Sequence, residues 1–168
     1  FIFEHNGEDF TDEHFASLCR FGYSNKRSLH TIGFRGIGFK STFSLGDTVE
    51  LYSPTLAVEF HRRRFTQPEW SDRSPSDVKR TIIRVAICDS RRQSEVGKNL
   101  DEWMKSPVSL LFFKHLRRLT VNGEVLQWLH VGPGPTDASE WMALQSHPEE
   151  RYLIARSSEE AFPQDALD

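Results

Sequence analysis

Only two cysteines, Cys19 and Cys88, stand among 168 residues. No disulfide framework can be built from them, and two reduced thiols are the plain expectation. No apolar run approaches the roughly 20 residues that a membrane-spanning helix needs. Charge of neither sign dominates. Lys plus Arg number 21 and Asp plus Glu 24, a formal net charge of -3. Bulk charge therefore does not mark a nucleic-acid binder. His14, His30 and His61, taken with Cys19 and Cys88, lack zinc-ligand spacing. Neither a Gly-x-Ser-x-Gly elbow nor a Cys/His nucleophile signature occurs. There is no internal repeat and no targeting pattern.

What remains is the composition of an ordinary folded domain, 38% hydrophobic and 27% charged. The length suits about one domain, at roughly 100–200 residues each. The chain opens Phe1-Ile2-Phe3 without Met, and the stretch from Glu159 to Asp165 reads as the start of another segment. A piece of a longer protein is expected.

Residues 1–4 read as a strand, followed by a turn at His5-Asn6-Gly7. Thr11 predicts a helix N-cap with Asp12 and Glu13 in the first turn. Phe15, Leu18 and Cys19 share one face, and the helix should stop near Gly22. Residues 22–32 read as a loop and 39–45 as a short helix. Strands are predicted over 47–53, 56–60 and 81–87, with a long surface loop over 61–79. Helices are expected over 95–104, 107–116 and 136–144. Asn122-Gly123 between 119–121 and 125–131 is a hairpin signal, and 151–155 reads as a further strand. Strands and helices mix without regular βαβ alternation, which predicts an α+β fold, a mixed or antiparallel sheet with helices on one face.

The sharpest local feature is Gly33-Phe34-Arg35-Gly36-Ile37-Gly38-Phe39-Lys40-Ser41. Glycines let a backbone approach a ligand closely, and a helix start offers free amides to a phosphate. The order G-x-x-G-x-G is neither the dinucleotide fingerprint nor the P-loop, because Phe39 intervenes before Lys40-Ser41. A plain surface turn is the alternative.

With these residues on the page, residues 3–53 resemble the ATP-binding domain of the GHKL group: gyrase-type topoisomerases, heat-shock-ninety chaperones, histidine kinases and MutL. Glu4-His5-Asn6-Gly7 stands where that group has Asp-x-Gly-x-Gly. Gly22 to Arg27 resembles its lid, Gly33 to Ser41 its second glycine motif, and Arg80-Thr81-Ile82-Ile83 its Gly-Thr-x-Ile strand. The His-Asn pair and the Gly-x-Gly-Phe-Lys-Ser loop are most similar to the sacsin-like subgroup. The resemblance is carried by about the first ninety residues.

The resemblance implies a Bergerat-type two-layer α/β sandwich over residues 1–90, lacking its first helix, and a helix and β-hairpin extension over 91–168. It implies ATP with Mg²⁺ as ligands. His5, in the place of the adenine-reading Asp, would offer an acceptor nitrogen, or else is a turn histidine bonded to backbone. Asn6 and Gly7 complete that turn. Thr81 would lie beside the adenine, or is simply a strand residue. Gly33, Gly36, Ile37, Gly38 and Phe39 would wrap the phosphates, with Arg35 and Lys40 either reaching them or solvated. Ser24 and Lys26 lie in the lid. The group's general base, a Glu, and its Mg²⁺-binding Asn sit on a helix before the first strand, and no acid in residues 1–168 matches them. No catalytic residue and no metal ligand is therefore assigned.

The implied function is a nucleotide-dependent switch in a larger cytoplasmic protein, whose wider role is chaperone-like or part of a nucleic-acid or defence machine. It would act on other domains or a second subunit, with hydrolysis only if the upstream helix exists. The alternative is a non-hydrolysing scaffold. The basic runs His61 to Arg64 and Lys114 to Arg118 would serve nucleic acid or an acidic partner, or are solvated ends.

Overall fold

The computed structural model describes residues 1–20, 38–72, 78–105, 107–113 and 115–156. The fold is α+β, with two antiparallel sheets and few helices. The chain divides into two compact units, Phe1–Ser94 and Glu95–Asp168.

The first unit is a five-stranded sheet in the order β1-β5-β2-β3-β4. Its strands are β1 (Ile2–His5), β2 (Thr48–Tyr52), β3 (Ala57–His61), β4 (Glu69–Trp70) and β5 (Thr81–Val85). Every pairing in it is antiparallel. Register puts Val49 opposite both Phe60 and Val85, and Leu51 opposite both Val58 and Ile83. Side chains alternate across a strand, so these residues share one face. That face is the core, with Val49, Leu51, Val58, Phe60 and Val85 buried together with Phe43.

Helix α1 (Asp12–Leu18) and a 3₁₀ helix over Phe39–Ser44 supply the covering layer. Phe10, Phe15, Leu18, Cys19 and Phe39 pack against the core, as the spacing of the apolar positions requires. Thr11 caps α1, its hydroxyl accepting from the His14 amide at 3.2 Å, while the His14 ring accepts from the Thr11 amide at 3.3 Å. The helix ends at Leu18, short of Gly22.

The region expected as a long loop over 61–79 holds a 3₁₀ turn at Arg62–Arg64 and the short edge strand β4. Helix α2 runs over Ser90–Lys105, five residues longer at its start than the 95–104 expectation. The cause is Asp89, whose carboxylate accepts from the Arg91 and Arg92 amides at 2.8 and 3.4 Å. That cap starts the helix within a polar run that has no apolar period.

The second unit holds a meander of β6 (Arg118–Val121), β7 (Glu124–Pro133), β8 (Ser139–Leu144) and β9 (His147–Ala155). The expected extension of helices plus one hairpin is thereby corrected. Residues 136–144 hold strand β8 instead of a helix, and 107–116 hold a 3₁₀ helix over Pro107–Phe112. The hairpin at Asn122-Gly123 is present, both residues at positive φ (50° and 91°) as a two-residue turn demands. Leu110, Leu111, Leu126, Trp128, Met142 and Leu144 form this unit's core. Trp128 meets Tyr152 edge to face at 5.7 Å.

Candidate functional site

Strand β1 ends at His5 and strand β5 begins at Thr81, and the antiparallel register sets these two residues opposite each other. Partners across a ladder lie on the same face with Cβ atoms about 5 Å apart. The same ladder pairs Phe3 with Ile83, and Ile83 packs on the core, so His5 and Thr81 stand at the end of the helix-covered face.

Thr81 is 1% exposed, and its hydroxyl has no hydrogen-bond partner among the described residues. A buried, unpaired hydroxyl costs roughly 1–3 kcal/mol. Such a group marks a place where a ligand or an ordered water completes the structure.

The His5 ring folds back over its own turn. Its Nδ1 accepts the Gly7 amide at 3.1 Å, and the Phe3 ring lies 5.8 Å away. Gly7 permits this: a Cβ there would stand 3.0 Å from Nδ1 and 3.3 Å from Cε1. Partial burial lowers the His5 pKa below the ordinary 6.5. Asn6 is exposed beside it.

Since folding lowers this pKa, the unfolded chain binds the proton more readily than the folded one. The stability His5 contributes is complete above about pH 6.5 and is lost as the pH falls through the folded value. Urea titrations at about pH 7.5 and pH 5 should therefore show a larger acid loss for the native chain than for His5→Gln. Equal losses would refute the assignment.

Behind the turn lies a polar network that sequence reasoning missed. Burial pushes the Asp9 carboxyl up. Hydrogen bonds from Ser53, the Phe10 amide and Thr55 outweigh this and hold it below the usual value. The Phe10 amide lies 2.7 Å from Asp9 Oδ1. Ser53, itself buried, accepts the Thr55 and Leu56 amides at 3.4 and 3.1 Å. It directly follows Tyr52, the β2 partner of Ile82, so the network sits beside the Thr81 end of β5. Nothing in the spacing of Asp9 and Ser53 signals their meeting.

Of the glycine motif, Gly38, Phe39, Lys40 and Ser41 lie within the described residues. Gly38 precedes the 3₁₀ helix, and its carbonyl accepts from the Ser41 hydroxyl at 2.6 Å. The Phe39 side chain is a core group, edge-on to Phe60 at 5.0 Å and to Phe43 at 6.4 Å. Lys40 Nζ reaches the Ser17 carbonyl at 3.5 Å, at the C-terminal end of α1, where a cation suits the helix dipole. Burial lowers the Lys40 pKa and raises that of Cys19, and each offsets the other's shift by charge. Ser24, Lys26, Gly33, Arg35, Gly36 and Ile37 lie outside the described residues. The structure thus brings His5, Gly7 and Thr81 together, and turns Phe39 and Lys40 toward the core and α1.

At the basic run, Arg62 meets Asp47 at 3.5 Å, and His61 lies 3.4 Å from Glu59 and 3.9 Å from Glu69. Among the described residues no group of three or more His, Cys, Asp or Glu could hold a metal ion. Among them also, no helix is long and apolar enough to cross a membrane. No protein-family model, curated protein or solved structure matches this chain.

Proposed function

We propose that residues 1–90 form a Bergerat-type nucleotide-binding module of the GHKL group, similar to its sacsin-like members. ATP is the ligand that the resemblance names. One observation carries the reading: the buried Thr81 hydroxyl, unpartnered among the described residues, stands opposite His5 on the helix-covered face. These are the positions that the resemblance assigns to the base. An orphaned buried hydroxyl fits a group with a polar edge, since a ligand would pair it.

In this reading His5 and Thr81 orient the base while the rest of the glycine motif faces the phosphates. Phe39 packs on the core, so that its own stretch of the motif needs no ordering on binding. A bound nucleoside triphosphate would supply the phosphoanhydride bond and the charge to which a lid responds. The module then acts as a switch toward other domains or a second subunit, because ligand binds one arrangement better than another. No step is derived through Mg²⁺. Hydrolysis belongs to this reading only with a general base from a preceding helix.

The scaffold reading draws on a different feature. Val125, Leu129 and Leu153 are exposed on one face of the second sheet, and Trp141 is half-buried beside them. Calorimetric titration of the native chain and of Thr81→Val with Mg-ATP separates the two. The variant should bind about tenfold more weakly while its ligand-free stability is unchanged or rises by about 1 kcal/mol, an unpaired hydroxyl having been removed. No nucleotide binding by the folded native chain would leave the scaffold.

A further inference from the structure

A neutral imidazole carries one N–H, and the nitrogen that accepts a hydrogen bond cannot be the one that bears it. In this protein Nδ1 is taken by the Gly7 amide at 3.1 Å. The proton of the neutral ring is therefore on Nε2, and the ring's one remaining polar atom is a donor. The geometry is fixed from two sides. Gly7 lets the ring lie close over the turn, and Phe3 stands beside it at 5.8 Å. A rotated ring would abandon the Gly7 amide.

This inverts the expectation that His5 offers an acceptor where the resembled group has a carboxylate. A carboxylate accepts from the exocyclic amino group of adenine. A donor in that place would face that amino group donor to donor, leaving both unpaired on desolvation. Asp9, four residues along the chain, does not substitute, since the Phe10 amide, Ser53 and Thr55 already hold it, and Glu4 alternates to the other face of β1. The Thr81 hydroxyl opposite His5 can donate or accept, so it is indifferent to the choice. The partner that satisfies the His5 donor is a carbonyl oxygen.

Resting on the nucleotide-binding reading above, we infer that this site selects a base bearing an acceptor at its recognition edge, a 6-oxo purine such as guanine or hypoxanthine, over adenine. Burying an unpaired polar group is what such discrimination turns on.

The test is calorimetric titration of the native chain with the magnesium salts of ATP, GTP and ITP, repeated on His5→Asp. GTP and ITP should bind the native chain about tenfold more tightly than ATP, and the variant should reverse the order, because its carboxylate accepts where the ring donates. Equal affinities, or tighter ATP binding by the native chain, would overturn the inference and leave the nucleotide site standing. Binding of none of the three would overturn both. Ring-nitrogen chemical shifts of His5 in the native chain provide a readout that does not depend on the variant folding. A protonated Nδ1 at neutral pH would also overturn the inference.

Discussion

Replacing Phe60 by alanine should remove about 3–5 kcal/mol from the stability of the first unit. The side chain is fully buried on β3, opposite Val49 on β2, and the Phe39 ring rests edge-on against it at 5.0 Å. Truncation forfeits the transfer energy of the ring and opens a cavity bounded by a sheet that cannot collapse to fill it. Domains are stable by only about 5–15 kcal/mol, so the loss is a large part of the whole. A functional consequence follows from the contact with Phe39. That residue belongs to the glycine motif, and without Phe60 it loses the surface that seats it, so on the proposed nucleotide-binding reading affinity should fall with stability. Phe60→Leu keeps most of the volume and should cost about 1.5 kcal/mol or less. Urea unfolding followed by circular dichroism measures both. A loss under about 1 kcal/mol for the alanine variant would show that this aromatic cluster is not the core.

The first unit was legible because its strands are short, β-branched and alternating, the signal that a half-buried antiparallel sheet imposes. Thr11 and the Phe15, Leu18, Cys19 face announced α1, and Asn122-Gly123 announced the hairpin. Strand β8 was not legible. Met142, Ala143 and Leu144 are buried in succession, in a strand that lies between β7 and β9. A run of consecutive apolar residues carries no period of two, so strand and helix look alike. The start of α2 was hidden for the opposite reason: the Asp89 cap precedes residues that bury nothing. The site was legible only in pieces. His5 and Thr81 were singled out from separate motifs, but their pairing is a matter of register between strands distant in sequence. The turn at His5-Asn6-Gly7 and a histidine bonded to its backbone were legible, but which ring nitrogen accepts that bond was not. The Asp9–Ser53 contact joins two loops by the same tertiary route.

Glycine placement offers the sharper contrast in sign. Gly46 lies between the end of the 3₁₀ helix and β2, where the chain runs against the end of β5. A Cβ built there would collide with the Ala86 carbonyl oxygen and stand 3.0 Å from Val85 Cγ1. The oxygen belongs to backbone and cannot rotate away. Gly46→Ala must therefore push β2 from β5 or shift the 3₁₀ helix that carries Phe43 into the core. The expected cost is about 2–3 kcal/mol, the upper part of the range for overpacking. Gly97, in the interior of α2, has open space where its Cβ would be. There alanine lowers the entropy of the unfolded chain without strain, so Gly97→Ala should stabilise by about 0.5–1 kcal/mol. Thermal unfolding of the two variants beside the native chain compares them directly. Opposite shifts are expected. A Gly46→Ala variant as stable as the native chain would show that the Gly46 segment does not press against the end of β5.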